Sequence, residues 1–186
     1  MYTAKDFSHL LGLPGMSDAL LNNHFTLYQG YVTNTNKLVD QMKQMEPGTP
    51  EYAELHRRFG WEWNGMRLHE LYFGNIAKHG VILSDRALMQ KIVATWGSFE
   101  TWEKEFRGMA AMRGIGWVVL CHDKRDGKLF NVWVNEHDGG NLVGTVPLLV
   151  MDVFEHAFML DYGIKRADYI NAFMAAVDWH TVEERF

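Results

Sequence analysis

The order of helical and strand-like segments predicts an α+β fold: an N-terminal helical hairpin followed by a C-terminal lobe with a three-stranded antiparallel sheet and helices. Three observations carry this prediction. Two long segments of helical periodicity fill the first part of the chain, three short apolar runs follow between residues 117 and 152, and residues 155–185 return to a helical pattern. Helices and strands segregated along a chain in this way are typical of α+β proteins.

The helical hairpin is predicted from residues 17–45 and 51–80. Apolar residues of the first segment recur at helical spacing, and Ser17 or the residue after it can cap the helix. The sequence EPGTP at 46–50 ends this helix because proline and glycine interrupt the helical backbone. Gly80 is expected to cap the C-terminus of the second helix.

The second lobe begins with two shorter predicted helices, at 84–96 and 98–112. Strand-like runs follow, and an Asp-Gly pair at 126–127 is typical of a hairpin turn between the first two strands. The predicted strands are 117–123, 129–137 and 146–152. The predicted organisation is therefore an N-terminal helical hairpin domain at 1–82 and a C-terminal α/β domain at 83–186.

Composition narrows the possible functions. A formal net charge of −5 argues against a nucleic acid partner, and the absence of a long apolar run argues against a membrane span. Cys121 is the single cysteine, so an internal disulfide is excluded and a reducing compartment is favoured. Because the N-terminus also lacks a signal-peptide pattern, we expect a cytoplasmic location. No phosphate-binding glycine loop and no Gly-x-Ser-x-Gly motif occurs, so nucleotide chemistry and nucleophilic hydrolysis lack support.

Asp152 and His156 are the first candidates for metal ligands. Asp152 ends the apolar run VPLLVMD, and a carboxylate at the end of a buried strand is unfavourable unless it is paired or binds a metal. His156 follows four residues later, and the two side chains suit iron, manganese or zinc. The alternative is an aspartate that caps a helix beside a solvated histidine.

Three further histidines and one tyrosine lie in informative surroundings. His24 and His69 lie among apolar residues at helical spacing, where a buried imidazole needs either a metal or a hydrogen-bond partner such as a carbonyl. His137 follows a predicted strand, where a simple turn residue is the alternative to a functional one. Tyr31 lies seven residues after His24, so it either packs in the core or donates a hydrogen bond at the mouth of a site.

The motif DVFEHAF at 152–158 resembles the Asp-x-Trp-Glu-His-Ala-Tyr signature of the iron/manganese superoxide dismutases. The resemblance runs in order from about residue 5 to the end of the chain. The other motifs that match this family are YVTNTN at 31–36, GMRLHELYF at 65–73, GSF at 97–99, GIGW at 114–117, KRADY at 165–169 and VDW at 177–179. Agreement at so many points indicates membership of the family.

The resemblance implies one iron or manganese ion per chain, bound between the two lobes by His24, His69, Asp152 and His156. The implied substrate is superoxide, which the ion converts to dioxygen and hydrogen peroxide by alternate oxidation and reduction. Glu155 matches a glutamate that hydrogen-bonds a ligand histidine of the partner subunit, which implies a homodimer or a dimer of dimers. A protein of the same fold with a non-catalytic or different redox role is the alternative.

The resemblance also implies four catalytic residues. Tyr31 matches the tyrosine of the first helix, and Trp117 belongs to the motif at the start of the sheet. His137 occupies a place where some members have a glutamine that contacts the metal-bound solvent, so its imidazole is expected to make that hydrogen bond. Arg166, with Lys165, is the candidate for a local positive funnel, which a chain of net charge −5 needs in order to attract an anion.

The first ligand position departs from the family pattern by one residue. Aligned from Tyr31 without a gap, the ligand position is Asn23, and one residue turns a helix by about 100°. Placing a gap instead makes His24 the ligand, which the preceding match LLNNHF favours.

Other departures surround the site. Gly65 replaces one of the family's solvent-contacting glutamines, and Met159, Leu27 and Phe154 replace a gateway tyrosine, a helix-1 histidine and a pocket tryptophan, respectively. These changes spare the ligands and alter the gate and the proton-delivery network. We therefore expect them to affect rate more than metal binding.

Overall fold

The computed structural model describes residues 1–81 and 86–186. The predicted start of the third helix at Ser84 and the predicted domain boundary between residues 82 and 83 lie outside the described residues. The fold class is α+β, as the sequence predicts.

The N-terminal hairpin consists of α1 (Asp18–Met42) and α2 (Pro50–Gly74). Ser17 caps α1 and Thr49 caps α2, because each side-chain hydroxyl accepts a backbone N–H from the first turn. The two helices pack against each other along their length, and α2 also packs against the third strand of the sheet. This middle position lets α2 contribute to whatever site lies between the two lobes.

The predicted end of α2 at Gly80 is wrong, because the helix ends at Gly74. The side chain of Asn75 bonds across to the sheet, where its amide donates to the Val150 carbonyl and its oxygen accepts the Val150 N–H. Gly80 instead lies where the Ala175 carbonyl approaches so closely that no Cβ would fit. The helix therefore ends at Gly74, where Asn75 contacts the sheet, and not at Gly80, where the local sequence predicts its end.

The second lobe begins with α3 (Ala87–Trp96) and α4 (Phe99–Ala110). Three antiparallel strands follow in the spatial order β2-β1-β3, which places β1 in the centre. Their bounds are Gly116–Asp123 for β1, Lys128–Asn135 for β2 and Val146–Asp152 for β3. The central strand is buried along nearly its whole length because both neighbours and α4 cover it.

After the sheet the chain continues in short helical pieces. A 3₁₀ turn at Glu155–Ala157 leads into α5 (Met159–Tyr162), and the C-terminal helices are α6 (Arg166–Ala176) and α7 (Trp179–Arg185). Gly163, with φ of +53°, separates α5 from α6 in a backbone conformation that favours glycine. No helix in the described ranges is both long and apolar enough to cross a membrane.

The second strand ends two residues earlier than predicted, at Asn135. Glu136 follows with φ of +49°, the single non-glycine residue with a positive φ in the described part of the chain. This conformation turns the chain out of the strand and carries His137 into the interior, where it is fully buried.

Candidate metal centre

Four predicted ligands converge at the junction of the two lobes. The donor atoms of His24, His69, Asp152 and His156 all lie within 4.8 Å of one another. They come from α1, α2, the end of β3 and the 3₁₀ turn that follows it. The first three are buried, and the His156 side chain is 26% exposed.

The structure places His24, rather than Asn23, in this cluster. His24 is buried and Asn23 is exposed. Seven residues separate His24 from Tyr31, which is close to two helical turns, so both side chains lie on the same face of α1. The alignment with a gap is therefore the one that agrees with the fold.

A single carboxylate oxygen forms the middle of the cluster. Oδ2 of Asp152 lies 3.0 Å from Nε2 of His156, 3.2 Å from Nε2 of His24 and 3.7 Å from Nε2 of His69. The other oxygen, Oδ1, accepts the backbone N–H of Phe154. Burial by itself would raise the pKa of the Asp152 carboxyl, but the adjacent His156 and His24 hold that pKa well below its usual value. Asp152 is therefore ionised.

The environment of His69 indicates that a cation belongs in the cluster. Nδ1 of His69 lies 2.6 Å from the Gly65 carbonyl oxygen, so Nδ1 carries the proton and donates it. Nε2 then presents a lone pair towards the Asp152 carboxylate, and within the described residues it has no hydrogen-bond partner although it is buried. Burial lowers the pKa of both His69 and His24, so neither ring supplies a positive charge. A buried lone pair that faces a carboxylate without a hydrogen bond is unfavourable, and a metal ion bound to both groups would satisfy it.

The donor set fits iron or manganese. Three imidazole nitrogens and one carboxylate oxygen are ligands of borderline hardness, suited to first-row transition metals. The hydrogen bond from His69 to a backbone carbonyl is the kind of contact that fixes the tautomer and orientation of a ligand histidine.

Behind the cluster, three buried residues form a directed chain of hydrogen bonds. The Trp117 indole donates to Nδ1 of His137 over 3.0 Å, and Nε2 of His137 lies 2.8 Å from the Tyr31 hydroxyl. Because an indole N–H can only donate, Nδ1 of His137 is the acceptor and the proton of the neutral ring is on Nε2. Burial lowers the pKa of His137 to about 4, so the ring is neutral at physiological pH. The alternative interpretation of His137 as an exposed turn residue is therefore wrong.

Tyr31 fills the space that a side chain at position 65 would need. Its ring stacks on His69 with centroids 5.1 Å apart, and a Cβ at Gly65 would lie 2.6 Å from Cδ1 of Tyr31. A glutamine at position 65 would require Tyr31 to move. Burial raises the pKa of the Tyr31 phenol well above its ordinary value, so this hydroxyl keeps its proton.

Trp61 is a neighbour of the site that the sequence did not single out. Its ring meets His137 edge to face at 4.5 Å, and its indole donates to the Glu136 carboxylate over 2.9 Å. The contact holds the strained residue that precedes His137. Its sequence signal is weak, because a tryptophan on an apolar helix is most often a core residue. Phe154, which replaces a pocket tryptophan of the family, stacks on both His137 and His156.

The outer side of the centre is more open. Glu155 is exposed, and Met159 at the start of α5 is 50% exposed. Arg166 donates to the backbone carbonyls of Met112 and Gly114, just before β1. Its guanidinium is thus held against the segment that precedes β1.

The fold and the cluster define a class of protein: an α+β protein in which four side chains between a helical hairpin and an α/β lobe could hold a metal ion. Residues 84–185 match the C-terminal domain model of the iron/manganese superoxide dismutases. The chain therefore belongs to the iron/manganese superoxide dismutase family.

Similar proteins come from bacteria and archaea. The chain is 35% identical to an iron superoxide dismutase of Cupriavidus metallidurans, over 94% of this chain and 90% of that protein. It is 36% identical to an iron superoxide dismutase of Aquifex aeolicus, over 98% and 89% of the two chains. It is 35% identical to a manganese superoxide dismutase of Haloferax volcanii, over 93% and 88%.

Proposed function

We propose that this protein is an active superoxide dismutase that holds one iron or manganese ion per chain at His24, His69, Asp152 and His156. The observation that carries the proposal is Nε2 of His69, which faces the Asp152 carboxylate in a buried cluster and has no hydrogen-bond partner in the part of the chain that the structure describes. When bound, the ion would take an electron from one superoxide, releasing dioxygen, and pass it to a second, which leaves as hydrogen peroxide after gaining two protons. Some of the similar proteins are named as iron enzymes and others as manganese enzymes, so the proposal includes either metal.

The charge of the cluster favours an anionic substrate. Asp152 supplies one negative charge, and the rings of His24 and His69 are neutral because burial lowers their pKa. One carboxylate does not neutralise a divalent or trivalent ion, so the site keeps a positive charge towards superoxide. Arg166, whose bonds go to carbonyls rather than to a carboxylate, adds a positive charge on the second lobe.

The hydrogen-bonded chain ends at the Tyr31 hydroxyl, which supports a role for Tyr31 as a donor in the reaction. Trp117 donates to His137, and His137 donates to the Tyr31 oxygen. Tyr31 is therefore the acceptor in that bond, and its own hydroxyl proton can be donated to another group. Within the described residues that hydroxyl has no acceptor, and its ring lies against His69. We propose that Tyr31 donates to substrate or to solvent at the ion. A neutral imidazole has one N–H, and that of His137 is used in the bond to Tyr31. His137 therefore acts through Tyr31, or it donates to solvent at the ion only after its bond to Tyr31 breaks.

Assembly into a homodimer or a dimer of dimers is also proposed. Glu155 is exposed and makes no side-chain hydrogen bond within residues 1–81 and 86–186, while the adjacent His156 is partly exposed. Met159 and Leu160 add exposed apolar surface beside them. In the proposed dimer, Glu155 accepts a hydrogen bond from the partner subunit's His156 and supports it as a ligand.

A cytoplasmic location is a further proposal. Cys121 is a buried free thiol on the central strand, and a reducing compartment would preserve it. Fractionation of the source cells, followed by detection of the chain with an antibody, tests this location.

Metal analysis combined with a superoxide-decay assay tests the proposed activity. We expect close to one iron or manganese per chain and decay faster than that caused by the same amount of free metal. His156→Ala should lose most of both, while the control His180→Ala, a surface histidine paired with Glu184, should keep both. A chain that retains metal but does not accelerate decay contradicts the proposed activity.

That outcome would favour the second candidate, a metal-binding protein of this fold with another role. The observation in its favour is the change of residues at the entrance to the site. Leu27 and Met159 are partly exposed apolar residues at positions where the family has polar ones.

A further inference from the structure

A cavity of about 660 Å³ lies on the side of α2 that faces away from the metal centre. Arg67, Leu71 and Gly74 line it from α2. Arg67 and Leu71 are each two residues from His69, a rotation of about 200° around the helix, so they point away from the cluster. The cavity is therefore separate from the proposed catalytic site.

The walls of this cavity are mostly apolar. On the sheet, Val119 of β1 and Val132 and Val134 of β2 line it, with alternate residues of each strand on the same face. Phe7 of the N-terminal arm and Trp63 of α2 close the other sides. A volume of this size, with apolar walls and a few polar groups, is typical of sites for small organic molecules.

At the edge of the cavity, the carboxylate of Glu70 pairs with two cations. Glu70 accepts a hydrogen bond from Arg67 over 2.7 Å and lies 3.7 Å from the Lys5 ammonium. It also accepts the hydroxyl of the buried Tyr28. This group of side chains thus carries an excess of positive charge.

A third cation lines the cavity without a carboxylate partner. Arg185 donates to the carbonyls of Leu148 and Leu71 and to the side-chain oxygen of Asn75. In the described ranges no carboxylate lies within ion-pair distance of it, and burial lowers its pKa to about 10, which still leaves it charged at neutral pH. The charged residues that line the cavity are therefore three cations and one anion.

We propose that this cavity binds a small amphipathic organic anion, a carboxylate attached to an apolar chain. The apolar chain would lie against the valines of β1 and β2. The carboxylate would take the hydrogen-bond donors that Arg67 has left beyond its single bond to Glu70, which would offset the excess positive charge. Neither the metal nor the dismutase activity is needed for this binding.

Calorimetric titration of the metal-loaded full chain with decanoate tests the proposal, with decan-1-ol of the same chain length as the uncharged probe. We expect one decanoate site per chain and at least about tenfold weaker binding of the alcohol, because a charge-assisted contact is lost. Binding without saturation, or equal affinity for the two probes, would overturn the proposal.

Two variants with matched controls place the site. Val132→Trp should abolish the binding of both probes by filling the cavity, while Val93→Trp, on the exposed side of α3, should leave both unchanged. Arg67→Gln should weaken decanoate about tenfold and leave decan-1-ol unaffected. Its control is Arg57→Gln, which removes an arginine of the same helix that pairs with Glu54 outside the cavity.

Thermal unfolding followed by circular dichroism shows whether each variant is folded. If Val132→Trp does not fold, Leu142→Trp replaces it, because Leu142 lines the cavity from a loop and is 42% exposed. A folded cavity-filling variant that binds decanoate as tightly as the wild type contradicts the proposal. Arg67→Gln should also keep its superoxide decay rate, which separates the cavity from the metal centre.

Discussion

The inner wall of the metal centre and its outer rim differ, although both border the same four donor atoms. On the inner wall, Tyr31, Trp117 and His137 are buried and joined by hydrogen bonds. On the rim, Glu155 is exposed and Met159 is half exposed.

The difference shows which part of the centre one chain completes by itself. Every ring nitrogen and hydroxyl of the inner wall takes part in a hydrogen bond within one chain, and a buried network of this kind fixes its members in one arrangement. The rim presents a carboxylate, a partly exposed ligand and apolar surface. Such a combination is typical of a surface that another molecule covers.

Asp152 borders both regions, so its removal should have the largest effect. Asp152→Ala takes away the carboxylate that three imidazoles surround, and we expect metal affinity to fall by more than about 100-fold, beyond the effect of residues that only support ligands. Metal per chain, measured by mass spectrometry, checks this. Asp123→Ala, at the end of β1, is the control and should keep its metal. Full occupancy in Asp152→Ala would refute the assignment of the site.

On the inner wall, His137→Ala should leave most of the metal and lower the dismutation rate by about 100-fold, with a changed pH profile, because proton delivery is impaired. Tyr31→Phe should produce a similar loss, and the double variant should lose little more, since both residues act in one hydrogen-bonded chain. His122→Ala is the control, a buried histidine that stacks on Phe186 away from the cluster. A wild-type pH–rate profile for His137→Ala would remove His137 from the mechanism.

On the rim, Glu155→Ala should weaken the dimer and lower metal affinity about tenfold, the size of effect expected when a residue that supports a ligand is lost. Sedimentation velocity and metal analysis measure the two effects together. Glu184→Ala, on the surface of α7, should change neither. A wild-type protein that is strictly monomeric at micromolar concentration would contradict the proposed rim contact.

The smallest effect is expected at Arg166, which is proposed to attract substrate without touching the ligands. Arg166→Gln should lower the rate a few-fold at low salt and make it less sensitive to ionic strength, because screening weakens long-range attraction. Arg125→Gln, in the turn between β1 and β2, controls for the change in net charge. If the salt dependence of Arg166→Gln equals that of the wild type, Arg166 does not steer the substrate.

The position of His24 shows how far sequence could reach. Helical periodicity placed His24 and Tyr31 on one apolar face, and the motifs at 65–73 and 152–158 indicated the other ligands through the family resemblance, so the cluster could be predicted. The choice between Asn23 and His24 depended on a gap that the motif alone did not settle. Burial of His24 and exposure of Asn23 decided it.

Trp61 and Gly80 show where sequence reasoning failed. The contact of Trp61 with His137 and Glu136 joins residues about 75 positions apart, and no local sequence pattern predicts it. Gly80 carried the usual signal for a helix end, yet Asn75 ended the helix earlier by bonding to β3. Contacts between distant segments overrode the local preference in both places.

The sequence by itself determined the α+β class and the order of the elements, because periodicity is a local property of the chain. Its resemblance to the family indicated His69, Asp152 and His156 as ligands and left His24 and Asn23 as alternatives for the first position. Only the tertiary structure decided that His137 is buried, that its single N–H is directed at Tyr31 and that an apolar cavity with excess positive charge lies behind α2. These features depend on how side chains from separate elements pack and on which polar groups are left without partners. That information exists only once the lobes are assembled.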